Sequence, residues 1–363
     1  MMTYRMLVLT DHLTHSPENS LYELVQALQQ NALPATRRYR EHKPHKAAYI
    51  PPSAQASGAS LFVASRSTPG NRRFFREQKG NHVWATPVHP GFAYSPGGQA
   101  YRGRQQRLCL QDFDVILLRL PPPADISFLR YLSSIFPPQR IINRPDGIIR
   151  TSSKKFLLTL PDLCPPMALC ETLDDIDQFR RRHPIVLKPL DAYGGQGLIR
   201  IEGDTVWHQH QPQSFRIFAR TFLQHPVAYL GMRYLSRVGE GDKRIIVCNG
   251  RIVGASLRLP AHGSWLCNAA QGGISVAAKP DARERYIARR LTCRLQQEGV
   301  VLFGFDTLTQ DNGLRVLSEI NTMSIGGLKQ MHAQQERPIL QHTAQLIWTY
   351  VKNEIYGTRT INR

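Results

Sequence analysis

Gly304-Phe305-Asp306-Thr307-Leu308-Thr309-Gln310-Asp311-Asn312-Gly313-Leu314-Arg315-Val316-Leu317-Ser318-Glu319-Ile320-Asn321 reads as two strands around a turn. Asn-Gly is the favoured pair of a two-residue type I′ turn, because both positions need φ > 0. In that register Asp311 pairs with Leu314, and Asp306 stands directly across from Glu319, their Cβ atoms about 4.5–5.5 Å apart. Asn321 lies two residues on and shares the face of Glu319. A three-residue loop with a bulge slips the pairing by one and sends the acids to opposite faces. Like charges set opposite each other destabilise a sheet, and a divalent cation between them removes the conflict. Two carboxylates and an amide are hard oxygen donors that suit Mg²⁺, which completes its shell with phosphate and water. Two acids on a solvated face are the competing reading.

A second hairpin, spanning 241–258, also turns on an Asn-Gly pair, Asn249-Gly250. With a two-residue turn Lys243 faces Ser256, and Arg258 lies on the same face. Such a strip suits a transferring phosphoryl group; it equally suits a basic surface ribbon. Ile185-Val186-Leu187-Lys188-Pro189-Leu190 is a strand with one charge among apolar residues, and such a lysine must be paired or reach an anion. Asp191-Ala192-Tyr193-Gly194-Gly195-Gln196-Gly197 follows directly. Glycines let backbone N–H groups approach phosphates. This loop joins strand to strand, however, unlike a P-loop or a dinucleotide-binding turn. It reads as a flap over a triphosphate or as a plain turn.

The chain has 363 residues, enough for two or three lobes sharing clefts. No apolar run approaches the roughly 18 residues of a membrane helix, and 1–10 reads as a buried strand rather than a signal peptide. Six scattered cysteines without a Cys-x-x-Cys pair argue for a reducing cytoplasm, not a disulfide framework or a zinc site. The net charge is +19, and 34–107 holds thirteen Lys and Arg against only Glu41 and Glu77. This stretch reads as a solvated basic insertion. The sharper reading is an arm for an acidic substrate, a carrier peptide or nucleic acid, but interleaved aromatics and a helical period are missing.

A strand at 5–10 followed by a helix at 20–28, capped by Ser20, suggests an open α/β lobe. Further strands are expected at 114–119 and 141–143. Helices are expected at 126–135, 155–160, 173–182 with Thr172 as cap, 284–299 and 338–354. Residues 216–224 are strand or helix. His208-Gln209-His210 reads as polar loop before it reads as a metal pair. No Gly-x-Ser-x-Gly and no His-Glu-x-x-His occurs, which removes the common hydrolase and zinc-protease signatures.

Several segments, taken in order, carry a resemblance. They are Asp114-Val115-Ile116-Leu117-Leu118-Arg119 with Pro121-Pro122-Pro123; Asn143-Arg144-Pro145 through Ser153-Lys154-Lys155-Phe156; and Val186-Leu187-Lys188-Pro189-Leu190-Asp191-Ala192-Tyr193-Gly194-Gly195. Then come Gly241-Asp242-Lys243-Arg244, Arg258-Leu259-Pro260, Asn268-Ala269-Ala270-Gln271-Gly272-Gly273, and the Gly304-Phe305-Asp306 and Glu319-Ile320-Asn321 of the opening hairpin. Together they resemble bacterial glutathione synthetase, an ATP-grasp enzyme, over most of the chain outside 34–107.

The resemblance implies an α/β chain with α+β lobes, an ATP-grasp fold behind an N-terminal open α/β preATP-grasp domain. The implied domains are 1–145 with the basic insertion at about 34–107, a lid subdomain 146–235 and a catalytic subdomain 236–356. It implies ATP and Mg²⁺, or Mn²⁺ in its place. Lys155 and Lys188 would meet the nucleotide phosphates, and Gly194, Gly195 and Gly197 would close over them. Met232, Tyr234 and Leu235 would form the hinge whose backbone meets adenine, with Asp242 at the ribose. Arg258 and Asn268 would lie near the transferred phosphate, and Asp306, Glu319 and Asn321 would bind the metal. The implied reaction joins a small-molecule or peptide carboxylate to an amine through an acyl phosphate. A cytoplasmic homo-oligomer without a membrane partner is implied, with nucleic acid entering only through the basic segment.

Two stretches depart from the family pattern. Ser264-Trp265-Leu266-Cys267-Asn268 replaces Glu-Thr-Arg-Gly-Asn, and Thr322-Met323-Ser324-Ile325-Gly326-Gly327 replaces Val-Thr-Ser-Pro-Thr after the metal asparagine. Losing a carboxylate-binding arginine and gaining Trp265 points to a different or less acidic substrate. Glutathione formation proper is one alternative. A non-catalytic ATP-grasp scaffold that docks nucleic acid or an acidic partner is another, and a scaffold has no need for opposed acids.

Overall fold

Met6, Leu7, Val8 and Leu9 expose nothing to solvent, so the strand they build needs partners on both edges and cover on both faces. The computed structural model describes residues 4–32, 59–123, 125–208, 211–261, 265–267, 273–355 and 357. Asn268 with 269–272, Gln209-His210 and 33–58 lie outside the described residues. One sheet consists of β1 (Tyr4–Thr10), β2 (Ala59–Ser65), β3 (His82–Pro87), β4 (Gln106–Cys109), β5 (Val115–Leu118) and β6 (Ile141–Ile142), in the order β4-β3-β2-β1-β5-β6. β2 and β5 flank β1 and run parallel to it.

The expectation of a solvated insertion over 34–107 is therefore corrected for its second part. Residues 59–109 supply three of the six strands, because the apolar run Leu61-Phe62-Val63 covers one edge of β1. The basic residues of this part stay on the outside: Arg72, Arg73, Arg76 and Lys79 are exposed, while Phe74 and Phe75 are buried between them.

The chain divides into two compact units, one of Met1–Arg119, Ile135–Ile141 and Leu340–Arg363, the other of Leu120–Ser134 and Ile142–Ile339. The implied boundaries differ from this at the last helix, Ile339–Tyr350, most of which groups with the first strands rather than with the catalytic subdomain. Trp348 is the cause. It is 1 % exposed, its ring lies 5.7 Å from that of Tyr4, and its Nε1 donates to the Leu28 carbonyl at 2.8 Å.

The second unit holds two sheets. The first contains β7 (Met167–Cys170), β8 (Ile185–Pro189), β9 (Ile199–Glu202), β10 (Thr205–His208), β11 (Gln211–Ser214) and β12 (Tyr229–Arg233), ordered β11-β10-β9-β8-β12-β7. Helices Leu173–Arg180 and Phe215–Gln224 cover it through Ile176, Phe179, Phe218 and Phe222. The first helix starts at a capping box of Thr172 and Asp175. The second resolves the open reading of 216–224 in favour of helix. The other sheet contains β13 (Asp242–Cys248), β14 (Arg251–Leu259), β15 (Ile274–Ala277), β16 (Leu302–Thr309) and β17 (Arg315–Asn321), ordered β15-β14-β13-β16-β17. Helix Ala282–Gln297 packs Ile287, Leu291 and Leu295 into the same core as Ile245, Phe303 and Leu317. Among the described residues no helix is long and apolar enough to cross a membrane.

Asn143 fixes the base of the β16–β17 hairpin. It is 5 % exposed; its Nδ2 donates to the carbonyls of Leu302 and Thr322, and its Oδ1 accepts from the N–H groups of Val301 and Leu302. Truncating it leaves four buried backbone groups unmatched. Asn143→Ala is expected to cost at least about 3 kcal/mol, read as a lower urea midpoint at unchanged slope.

Candidate active site

Two bulges decide which side chains face the site. In the β13–β14 hairpin the Asn249-Gly250 turn forms as expected, with φ of +45° and +73°. Cys248 pairs with Arg251, but the register then shifts at Ile246/Val247, with Val253 as the extra residue. Arg244 therefore faces Ser256, and Asp242 faces Arg258. The expected pairing of Lys243 with Ser256 is corrected. Lys243 points to the other face, where its Nζ meets the fully buried Glu284 at 2.7 Å.

The β16–β17 hairpin reaches its expected result by another route. Its turn is the three-residue loop, because Gly313 has φ +83° while Asn312 keeps a negative φ. Gly313 N–H donates to Gln310, and Gln310 N–H donates to Leu314. Thr307 through Thr309 pair one residue out of the type I′ register, and Ser318 is an extra residue that restores it. Asp306 thus stands opposite Glu319, and Gly304 opposite Asn321. The bulge also leaves the Ser318 carbonyl to accept the Lys188 ammonium at 3.0 Å.

Asp306 is 1 % exposed and lies between two guanidinium groups. Arg244 Nε and Nη2 donate to its two oxygens at 2.8 and 2.7 Å, and Arg258 Nη2 donates at 2.8 Å. Arg258 also forks onto Asp242, with two bonds of 2.6 Å. Burial pushes the Asp306 carboxyl up, but Arg244 and Arg258 outweigh it and hold it well below the usual carboxylate range. Asp242, with burial, the Asp306 charge and only one arginine in contact, is pushed up instead. Arg244 was not singled out by the sequence reading, since the unshifted register places it on the wrong face.

The structure sets the two neighbouring lysines apart. Lys155 is exposed and pairs with Glu171 at 3.0 Å on the outside. Lys154 turns inward, donates to the Ala192 carbonyl and lies 5.2 Å from the centre of the Tyr193 ring. Desolvation lowers the pKa of both Lys154 and Lys188, and the nearby Glu319 charge opposes this in each. Gly194, Gly195 and Gly197 all take positive φ, as a strand-to-strand loop there requires. Tyr193 fastens the start of that loop by donating to the Ser152 carbonyl at 3.1 Å.

Above Ser318 and Glu319 opens a pocket walled by Val186, Leu198, Met232, Leu235, Val238 and Leu308. Met232, Tyr234 and Leu235 all line it, as do Lys188 and Asp242. The Tyr234 N–H is committed to the Pro184 carbonyl. That of Leu235 has no partner among the described residues. The apolar walls with a few polar groups between them suit a nucleoside.

The donor set fits a hard cation. Among the described residues no three of His, Cys, Asp or Glu converge, so a three-ligand set here includes the Asn321 amide. Asn321 Nδ2 is buried without a partner among the described residues, and with the amide turned over its oxygen, the atom a cation needs, takes that place. The Glu319 carboxylate accepts no hydrogen bond from the described residues. Asp306 accepts three N–H bonds out of about four lone-pair sites, which leaves one.

The model of the family "Prokaryotic glutathione synthetase, ATP-grasp domain" matches residues 153–336, just over half of the chain and all of this site apart from its approach at Asn143. The chain belongs to this family. It is 31% identical over 238 residues to the glutathione synthetase of Bradyrhizobium diazoefficiens, covering 64% of this chain and 72% of that protein. It is 31% identical over 255 residues to that of Brucella melitensis, covering 69% and 77%. Solved structures show the same fold at low identity. A D-cycloserine synthetase superposes with a TM-score of 0.61 at 12% identity, over 96% of this chain and 100% of that one. The D-alanine–D-alanine ligase of Bacillus anthracis gives 0.56 at 12%, over 97% and 99%. As a glutathione synthetase-like ATP-grasp protein the chain is an ATP-dependent carbon–nitrogen ligase, using ATP with a divalent metal and acting on small molecules.

The inward and outward lysines make separable predictions. Lys154→Ala is expected to lower ATP turnover by about 10²-fold or more, the usual loss on removing one preorganised cation or donor. Lys155→Ala is expected to stay within about twofold, as for an exposed ion pair. Steady-state phosphate release on both variants decides it, and the reverse order would return Lys155 to the site.

Proposed function

We propose that this chain activates a peptide-like carboxylate as an acyl phosphate and passes the acyl group to an amine, with Mg²⁺ as the divalent metal. The observation that carries this is the opposition of Asp306 and Glu319 beside Asn321, facing Lys188 and Arg258. A carboxylate oxygen attacks the γ-phosphorus of ATP and ADP leaves. The amine then attacks the acyl carbon and inorganic phosphate leaves, so a C–N bond replaces the acyl C–O bond. Bound Mg²⁺, held by Glu319, Asn321 and the remaining lone pair of Asp306, would neutralise phosphate charge.

The chain's own groups do the rest. Lys154 and Lys188 offer ammonium groups to the phosphates. Arg258 and Arg244 are held rigid by Asp306 and need no rearrangement as charge moves between phosphorus and acyl oxygen. The glycine loop, tied down at Tyr193, can cover the acyl phosphate and keep water from it.

The carboxylate substrate is proposed to differ from γ-glutamylcysteine, because 264–267 lacks the family's arginine. Glutathione synthesis proper is the second reading, favoured by the names of the curated relatives at 31% identity. A reducing cytoplasm suits either, since all six cysteines are free thiols.

Phosphate release from ATP and Mg²⁺ tests these readings, run with γ-glutamylcysteine plus glycine and with a panel of other acids and amines. Stimulation by another pair is the expected outcome, and stimulation by the glutathione pair alone would select the second reading. Glu319→Gln should abolish turnover in either case while leaving the melting curve in place. Turnover retained by that variant removes Glu319 from the metal site.

A further inference from the structure

Trp265 lines the pocket alongside Met232, Tyr234 and Leu235. The sequence pattern had suggested a place on the carboxylate side, where it helps replace a lost arginine. The indole Nε1 is shut off from solvent and has no hydrogen-bond partner among the described residues. A buried donor left unmatched is costly, and the indole is a donor only. The ring meets Tyr234 edge-on, with centroids 6.3 Å apart and planes at 78°. Tyr234 in turn is covered by the Arg200 guanidinium at 4.1 Å from its centre. The two rings are thus braced in place at the mouth of the hinge.

The pocket's own lining supplies little for this N–H to find. Lys188 is a donor already committed to Ser318, Arg233 is a donor paired with Asp311, Asp242 is taken up by Arg258, and the Glu319 carboxylate is the one assigned to the cation. A purine nucleotide brings the missing chemistry, since its ring nitrogens and ribose oxygens are acceptors. We propose that Trp265 is a nucleotide-positioning residue, closing the pocket with its ring and donating Nε1–H to an acceptor of the bound nucleoside. This rests on the reading of the pocket as the ATP site. It assigns Trp265 itself to nucleotide recognition and leaves the loss of the family's arginine, at Leu266, as the argument about the carboxylate.

Calorimetric titration of the full chain with ADP and Mg²⁺ tests the proposal on wild type, Trp265→Phe and Trp84→Phe. Phenylalanine keeps an aromatic ring and removes the donor. Trp265→Phe is expected to bind ADP about threefold to tenfold more weakly, the worth of one neutral hydrogen bond, and Trp84→Phe is expected to match wild type. Titrations with 2′-deoxy-ADP and 7-deaza-ADP locate the acceptor, because the deficit of Trp265→Phe vanishes for the analogue that lacks it. In turnover, KM for ATP should rise at unchanged kcat and unchanged KM for the carboxylate.

Equal ADP affinity in wild type and Trp265→Phe overturns the proposal alone. No ADP binding by wild type overturns the pocket reading and the proposal with it. Should Trp265→Phe melt lower than wild type, tryptophan emission carries the test. ADP must then change the emission of wild type and of Trp84→Phe alike, and unchanged emission overturns the proposal.

Discussion

A carboxylate with no access to water, held by two arginines, is the constraint around which the second unit is arranged. Left alone at 1 % exposure, Asp306 would take up a proton rather than remain an anion. Arg244 and Arg258 keep it charged, and Asp242 completes the surroundings of Arg258. Four charges from three strands must meet on one face of one sheet for this to work. Removing any one partner would leave a buried charge uncompensated, a situation that typically costs about 3–5 kcal/mol. The cluster therefore sets the positions of β13, β14 and β16 relative to one another before any ligand arrives.

The two bulges are what make that meeting geometrically possible. With Val253 absorbed into an unbroken ladder, Arg244 and Asp242 would no longer stand opposite Ser256 and Arg258. Without Ser318, Glu319 would turn away from Asp306. Each bulge changes the parity of one strand partway along. The turn ends of both hairpins thus follow one register and the site ends another. The same extra residue at 318 frees a carbonyl that draws Lys188 down from the neighbouring sheet, so a local irregularity also ties the two sheets of this unit together.

Much of the fold was legible in the sequence, and the losses have physical reasons. Asn249-Gly250 told the truth because both residues adopt positive φ; Asn312-Gly313 misled because only the glycine does. Bulges carry no compositional mark, and Ser318 and Val253 are ordinary strand residues. The opposition of Asp306 to Glu319 was right in outcome because two single-residue shifts cancel. Lys154 and Lys155 are adjacent and identical, and only the short helical turn Lys154–Thr159, capped by Ser153, decides which points inward. The strands within 59–109 were hidden by averaging charge over a long window, although the run Leu61-Phe62-Val63 was visible in it. Trp265 was noticed as a departure, but its place in the wall of the pocket was not legible, because a substitution in a loop says nothing about the direction of the side chain.

The place of Trp348 bears on how the protein is made. Strand β1 emerges before the helix that carries Trp348, which follows only after the whole of 142–339. Tyr4 and the Leu28 carbonyl thus wait for a ring that is translated some three hundred residues later. The second unit has all of its sequence available before the first can finish burying its core. N-terminal domains usually fold first, but here the unit that holds the pocket and the arginine cluster can be complete while the unit of β1 still waits for Trp348.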